Sequence, residues 1–256
     1  MIGHLTWKNC SDTIVIISKM NVLKVSDIDV SNLTFSDVRP YGAVAKIVYV
    51  NHKNSPIVMQ LPKMKTPYGL GVYDDGERCK HSLDLSFGSS DTKVSEFKDL
   101  VEKIDEKILE EGSKKSLEWF KKKSQSVEVT RALYTSPIKI ATENGEPTDK
   151  YPPTFKMKVS NYDGKFKALC FNEKKEQLAD LADAISKGMM LRTIVKLTGV
   201  WIAGGKCGLT WELMQVQVPE RIALTGFAFA DDDEDIVADA VDDNKDEYVV
   251  DSDEDL

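Results

Sequence analysis

The chain has 256 residues, 41% apolar and 8% aromatic, with a formal net charge of −8, enough to bury a core as one elaborated domain or two small ones. Its charge is uneven: residues 231–256 hold 14 acids against one base, Lys245, which leaves residues 1–230 with 33 bases, 28 acids and a net of +5. No run approaches the roughly 18 apolar residues of a membrane span, the N-terminus lacks the basic-then-apolar order of a secretion signal, and Cys10, Cys79, Cys170 and Cys207 form no paired spacing.

These features argue against membrane insertion, a disulfide scaffold and a zinc knuckle, and predict an intracellular protein with no metal or cofactor. Cys79 and His81 stand two apart, a spacing that matches no common zinc site.

Along the first 90 residues, β-branched segments at 13–18, 43–50 and 56–61 alternate with Asn, Asp, Ser, Pro and Gly, which reads as strands and turns. In "CKHSLDLSF", His81, Leu83, Leu85 and Phe87 fall on one side and Lys80, Ser82, Asp84 and Ser86 on the other. The period then lengthens: Val94, Phe97, Val101, Ile104 and Ile108 recur every three or four positions, an amphipathic helix closed by Gly112. A short helix over 116–123 is expected next, with Trp119 and Phe120 turned inward.

Strands are predicted at 127–134 ("VEVTRALY") and 153–159 ("PTFKMKV"), the latter with Phe155, Met157 and Val159 opposite Lys156 and Lys158. The turn "NYDG" points to a hairpin with "KFKALCF", residues 165–171. A helix with Leu178, Leu181 and Ile185 on one stripe should end at Gly188. Two long strands joined at Gly204–Gly205 then run to Pro219. The order predicts a mainly β fold with helical insertions, its sheet a closed or nearly closed antiparallel barrel. It divides as one elaborated domain over 1–227 and a flexible, disordered acidic tail over 228–256.

Catalytic signatures are lacking. "GVWIAGGKC" departs from a phosphate-binding loop, because its lysine falls one place late, no Ser or Thr follows, and the context is strand–turn–strand. No nucleophile elbow or zinc-protease helix occurs, and the tail lacks the glycine and closing Glu of a calcium loop. The protein reads as a non-enzyme.

The informative pattern is aromatic residues among bases. Tyr68 and Tyr73 lie near Lys63, Lys65, Arg78 and Lys80, and Lys156, Lys158, Tyr162, Lys165 and Lys167 crowd one hairpin. Lys139 and Lys196 add to the set. Proteins that hold single nucleic-acid strands combine a basic groove with aromatic faces, each stacked base contributing about 1–3 kcal/mol. The competing reading is the wet face of a half-buried sheet, which also carries alternating lysines. Trp201, in alternation with Val195 and Leu197, and Trp211, in alternation with Leu213, are expected in the core.

The tail is not uniformly charged, since Ile236, Val237, Val241, Tyr248, Val249, Val250 and Leu256 punctuate it. A coil of this length spans about 30 Å on average and roughly 90 Å when taut. It can therefore reach a basic face and mimic a polyanion there.

The segments "YPPTFKMKVSNYDGKFKALCFN" and "TIVKLTGVWIAGGKCGLTWELMQVQV", followed by this tail, resemble the single-stranded DNA-binding proteins of nucleocytoplasmic large DNA viruses, relatives of the phage-type proteins with acidic C-termini. The resemblance covers mainly residues 150–218 and the tail, with weaker similarity at "SPIK" and "TPYGLGVYDDG". It implies an OB-fold barrel, sequence-tolerant binding of single-stranded DNA, and a tail that competes with DNA and recruits replication partners such as a polymerase or helicase. The tail residues concerned are Asp231, Asp232, Asp233, Tyr248, Asp253, Glu254, Asp255 and Leu256. Related tails commonly end in an aromatic residue, whereas this one ends in Leu256. The expected location is the host-cell site of viral DNA replication, and packaging in the virion or homo-oligomerisation is compatible with the reading. The alternative is an acidic-tailed interaction, chaperone or virion protein that binds no DNA directly.

Overall fold

In the computed structural model the described residues are 21–74, 76 and 79–220. The predicted strand at 13–18, Arg78 and the acidic tail lie outside them. By its internal contacts the chain divides into Met1–Glu220 and Arg221–Leu256, and all described residues belong to the first unit.

That unit is mainly β. The strands that matter here are β1 (Arg39–Tyr41), β2 (Ala45–Val48), β3 (Val58–Gln60), β4 (Met64–Lys65), β5 (Leu70–Asp74) and β6 (Cys79–Ser86). Three helices follow: α1 (Thr92–Lys114), α2 (Ser116–Phe120) and α3 (Val127–Leu133). Then come β7 (Tyr134–Thr135), β8 (Ile138–Lys139), β9 (Thr154–Val159) and β10 (Leu169–Phe171), the one-turn helix α4 (Leu181–Ala184), and the long pair β11 (Met190–Ala203) and β12 (Lys206–Gln217).

The pairings trace a partial ring: β11 to β12, β12 to β9, β9 to β6, β6 to β4, and β4 back to β11. Two joins are thin. Lys65 opposite Ser86 is the one register pair between β4 and β6, and Lys158 opposite Glu212 the one between β9 and β12. Most pairings are antiparallel, as expected, but β12 takes β7, β9 and β10 in parallel. The chain reaches those edges through crossovers, which parallel pairing requires.

The predicted alternation holds best in β9, where Thr154, Phe155, Met157 and Val159 are buried and Lys156 and Lys158 exposed. Six consecutive residues of β9 pair with β6, from Thr154 opposite Ser86 to Val159 opposite His81. On the inner side α1 lays Val94, Phe97, Val101, Ile104 and Ile108 into the core. Phe97 meets Phe155 edge-on at 4.9 Å between ring centroids, and Phe155 meets Trp211 at 5.7 Å. Each such buried side chain contributes about 1.5–3 kcal/mol. Asp91 caps the helix by accepting the Lys93 N–H at 2.9 Å.

Four local expectations need correction. Gly112 does not close α1; it is buried within the helix, where a Cβ would lie 3.2 Å from the Trp119 ring. The segment 127–133 is helical despite Val127, Val129 and Thr130. Ser126 caps it, accepting the Val129 N–H, and the buried Thr130 bonds back to the Ser126 carbonyl and accepts from Gln125. Packing on α1, with Arg131 bonding both carboxylate oxygens of Glu106 at 2.6 Å, overrides the strand propensity.

The long helix expected before Gly188 is replaced by a turn, the short strand Gln177–Leu178 and α4. Asn172 accepts the Glu176 N–H and donates to its carboxylate, and Asp180 accepts the N–H groups of Ala182 and Asp183. Such side chains offer the backbone partners that a continuous helix would otherwise supply.

The hairpin at "NYDG" exists, but only Asn161–Tyr162 and Lys165–Phe166 pair across it. Asp163 and Gly164 both take positive φ, the two-residue turn that matches strand twist. Residues 169–171 join β12 instead of β9. At the far end of the sheet, Gly204 and Gly205 make the expected turn between β11 and β12.

Candidate functional site

Cross-strand register defines the outer face of the sheet. Lys80, Ser82, Asp84 and Ser86 alternate outward on β6, and opposite them stand Tyr73 (to Lys80), Lys158 (to Ser82) and Lys156 (to Asp84). Lys158 is in turn opposite Glu212, which is opposite Lys196. A groove of about 350 Å³ crosses this face, lined by Tyr73, Lys80, Lys139, Lys156 and Lys158, with Thr135 and Ser136 on one wall and the nearly buried Trp211 among its lining.

The groove is electrostatically built. Lys139 is half-buried, donates its ammonium to the Ser136 carbonyl at 2.7 Å, and is held below the usual lysine range by burial and then by Lys156. Burial raises the Asp84 carboxyl, against the pull of Lys156 and a hydroxyl from Thr154. An ammonium next to a like charge gains most from an anionic partner, so Lys139 and Lys156 are suited to phosphate. Lys80 lies 5.8 Å from the centre of the Tyr73 ring, and that ring is 65% exposed. A flat, exposed aromatic beside cations is the geometry on which a base stacks.

One wall is anchored from behind. Asp105 of α1 is buried and accepts hydroxyls from Tyr134 and Ser136, each at 2.6 Å. Burial pushes its carboxyl up to about 6 despite those bonds.

The structure thus brings together Tyr73, Lys80, Lys139, Lys156 and Lys158. The hairpin carrying Tyr162, Lys165 and Lys167 stands beside them, because Phe166 packs edge-on against His81 at 5.0 Å. Tyr162 is 64% exposed, and Lys167 forms an ion pair of 3.5 Å with Glu212, whose hydrogen-bond donor is Ser160. Lys63, Lys65 and Tyr68 are not in the groove. Lys63 faces Glu173 at 4.0 Å, and Lys65 sits at the opposite end of β6, paired with Ser86. Tyr68 is exposed on a turn packed against the backbone at Ser186–Lys187.

Trp211 is in the core as expected, and Trp201 is not. The register slips between Leu197 and Gly199, so the buried set of β11 changes from Leu191, Thr193, Val195 and Leu197 to Val200 and Ile202. Trp201 is thereby turned to the outer face, half-buried and outside the core cluster. The sequence signal for the slip is Gly199, since a glycine inside a strand pattern marks a bulge, and strict alternation passes over it. Asp84 and Glu212 were legible as outward positions, but nothing in their spacing marked them as neighbours of the lysines.

Residues 83–231 match the model of a family of unknown function, DUF5871; the chain belongs to that family. No curated protein matches. Among solved structures, the single-stranded DNA-binding protein of bacteriophage Enc34 in complex with ssDNA is similar at 15% identity and a TM-score of 0.42, over 74% of this chain and 98% of that one. The single-stranded DNA-binding protein gp2.5 of bacteriophage T7 is similar at 18% identity and a TM-score of 0.35, over 77% of this chain and all of the other.

Proposed function

We propose that this protein binds single-stranded DNA with little regard to sequence, through an OB-type barrel whose outer face is the lysine groove. The observation that carries the reading is the convergence of Tyr73, Lys80, Lys139, Lys156 and Lys158 from four strands onto one concave surface. Ammonium groups neutralise phosphates, and exposed tyrosines supply faces that accept any base. In this reading residues 1–227 form the DNA-binding body and residues 228–256 a tail that competes with DNA for that surface. The tail would also recruit replication partners, in the setting of viral DNA replication, recombination or repair. No chemistry is performed on the strand.

The test is fluorescence polarisation with labelled oligo-dT at low salt, on the full chain and on a Lys80→Glu, Lys156→Glu, Lys158→Glu variant. The wild type should bind, its affinity should fall with salt, and the variant should lose both affinity and salt slope. Each phosphate contact removed should flatten the slope by about 0.7. Absence of binding by the wild type at low salt would sink the proposal, and unchanged binding by the variant would sink the groove.

A further inference from the structure

The outer face continues past the groove. Gly208 is opposite Trp201, and Thr135, which lines the groove, is the partner of Gly208 on its other side. A Cβ built on Gly208 would lie 2.6 Å from Trp201 Cζ2 and 2.8 Å from the Thr135 carbonyl oxygen. The missing side chain is therefore what lets the indole lie across β12 against the groove wall.

Beyond Trp201 the same register runs through Ile47 to Arg39, and Ala45 is opposite Tyr41. Tyr41 and Tyr49 are exposed, and the Arg39 guanidinium lies 6.0 Å from the centre of the Tyr49 ring. An indole, two phenols and a guanidinium thus extend in one direction from the groove, and none of them packs in the core cluster.

Buried aromatics explain themselves by the area they remove from water. Trp119 and Trp211, each 1% exposed, are of that kind. Trp201 is not, and its fixed position over a glycine costs a potential base little ordering entropy on stacking. Arginine beside exposed aromatics adds charge for phosphate and a second flat surface.

We infer that Trp201 is a base-stacking platform, and that the strand path runs from the lysine groove over Trp201 to Arg39, Tyr41 and Tyr49. The inference rests on the single-stranded DNA reading and adds residues to it. A strand crossing there places a base on the indole and the adjoining phosphate toward Arg39.

The experiment titrates full-length wild type, Trp201→Phe, Trp201→Leu and Arg39→Ala with oligo-dT, reading tryptophan emission and polarisation of labelled oligonucleotide in parallel. Wild-type emission should be quenched at saturation, and Trp201→Phe should bind within about twofold of wild type while losing most of that quench. Trp201→Leu should bind about tenfold more weakly, ~1.4 kcal/mol, and Arg39→Ala should reduce the salt slope by about 0.7. The comparison of wild type with Trp201→Phe isolates one indole and does not depend on whether the leucine variant folds. If wild type binds but its quench persists in Trp201→Phe, or a folded Trp201→Leu binds as wild type does, the platform is overturned and the groove stands. If wild type binds no oligo-dT, the platform and the underlying reading are both overturned.

Discussion

Ser136 donates its hydroxyl to Asp105 at 2.6 Å, so a wall of the lysine groove is fastened to the middle of the amphipathic helix α1. Tyr134 holds the other oxygen of the same carboxylate. One acid therefore ties the groove wall to the helix, and that acid titrates in an accessible range.

Asp105 has a folded carboxyl raised to about 6 from a reference near 3.8, chiefly by burial. The folded state then holds the proton more tightly than the unfolded chain. Its stabilising contribution is complete below about pH 4 and is lost as pH rises through about 6. Urea denaturation of wild type should show stability falling across that window by an amount on the order of 3 kcal/mol. In Asp105→Asn that limb should be missing, and a limb of equal size in the variant would assign it to other groups.

Gly199 marks the slip that turns Trp201 outward. Its φ is +145°, and a Cβ there would lie 2.5 Å from the Val48 carbonyl oxygen. Because the obstacle is backbone on the neighbouring strand, Gly199→Ala should cost about 3 kcal/mol or more in urea melts. A loss below about 1 kcal/mol would mean that β11 tolerates another register.

Glu212 sits opposite both Lys158 and Lys196 and forms an ion pair with Lys167, its side chain 12% exposed. A carboxylate there opposes phosphate and occupies a lysine. Glu212→Gln keeps an acceptor for the Ser160 hydroxyl and removes the charge. Oligo-dT affinity should rise about fivefold, ~1 kcal/mol, with the largest gain at low salt. Weaker binding by a folded variant would contradict the placement of the path over this row.

Removing residues 231–256 changes the formal charge from −8 to +5. If the tail competes with DNA, the shortened protein should bind oligo-dT more tightly, and the difference should shrink as salt screens the competition. Equal affinities at low salt would remove the competition and leave DNA binding intact.

How far these features were legible follows from the range of the forces involved. β6, β9, β11 and β12 could be read because burial on one face imprints alternation directly on the residue order. So could α1, whose apolar stripe faces the aromatic core. The segment 127–133 could not, since its helix depends on contacts with α1 that no local window contains. The helix expected before Gly188 failed for the opposite reason. Asn172 and Asp180 act over four residues or fewer, but their side-chain bonds outweigh a plausible apolar stripe. At the site, lysines on β6 and β9 could be recognised as outward, while Lys139 joined them only through the β8–β9 pairing. Alternation places Trp201 in the core only if it is carried unbroken past Gly199, where the register slips.

The thin join between β9 and β12, at Lys158 opposite Glu212, gives the fold a seam directly under the groove. A sheet held there by one register pair parts more readily than one laced along its length. Lys158 sits on one lip and Thr210 on the other. A ligand that spanned both lips would act as a suture: by mass action it would favour the closed sheet over states in which the two strands part. Amide protons along β9 and β12 should then exchange more slowly once the groove is filled, which couples occupancy of the surface to the firmness of the whole ring.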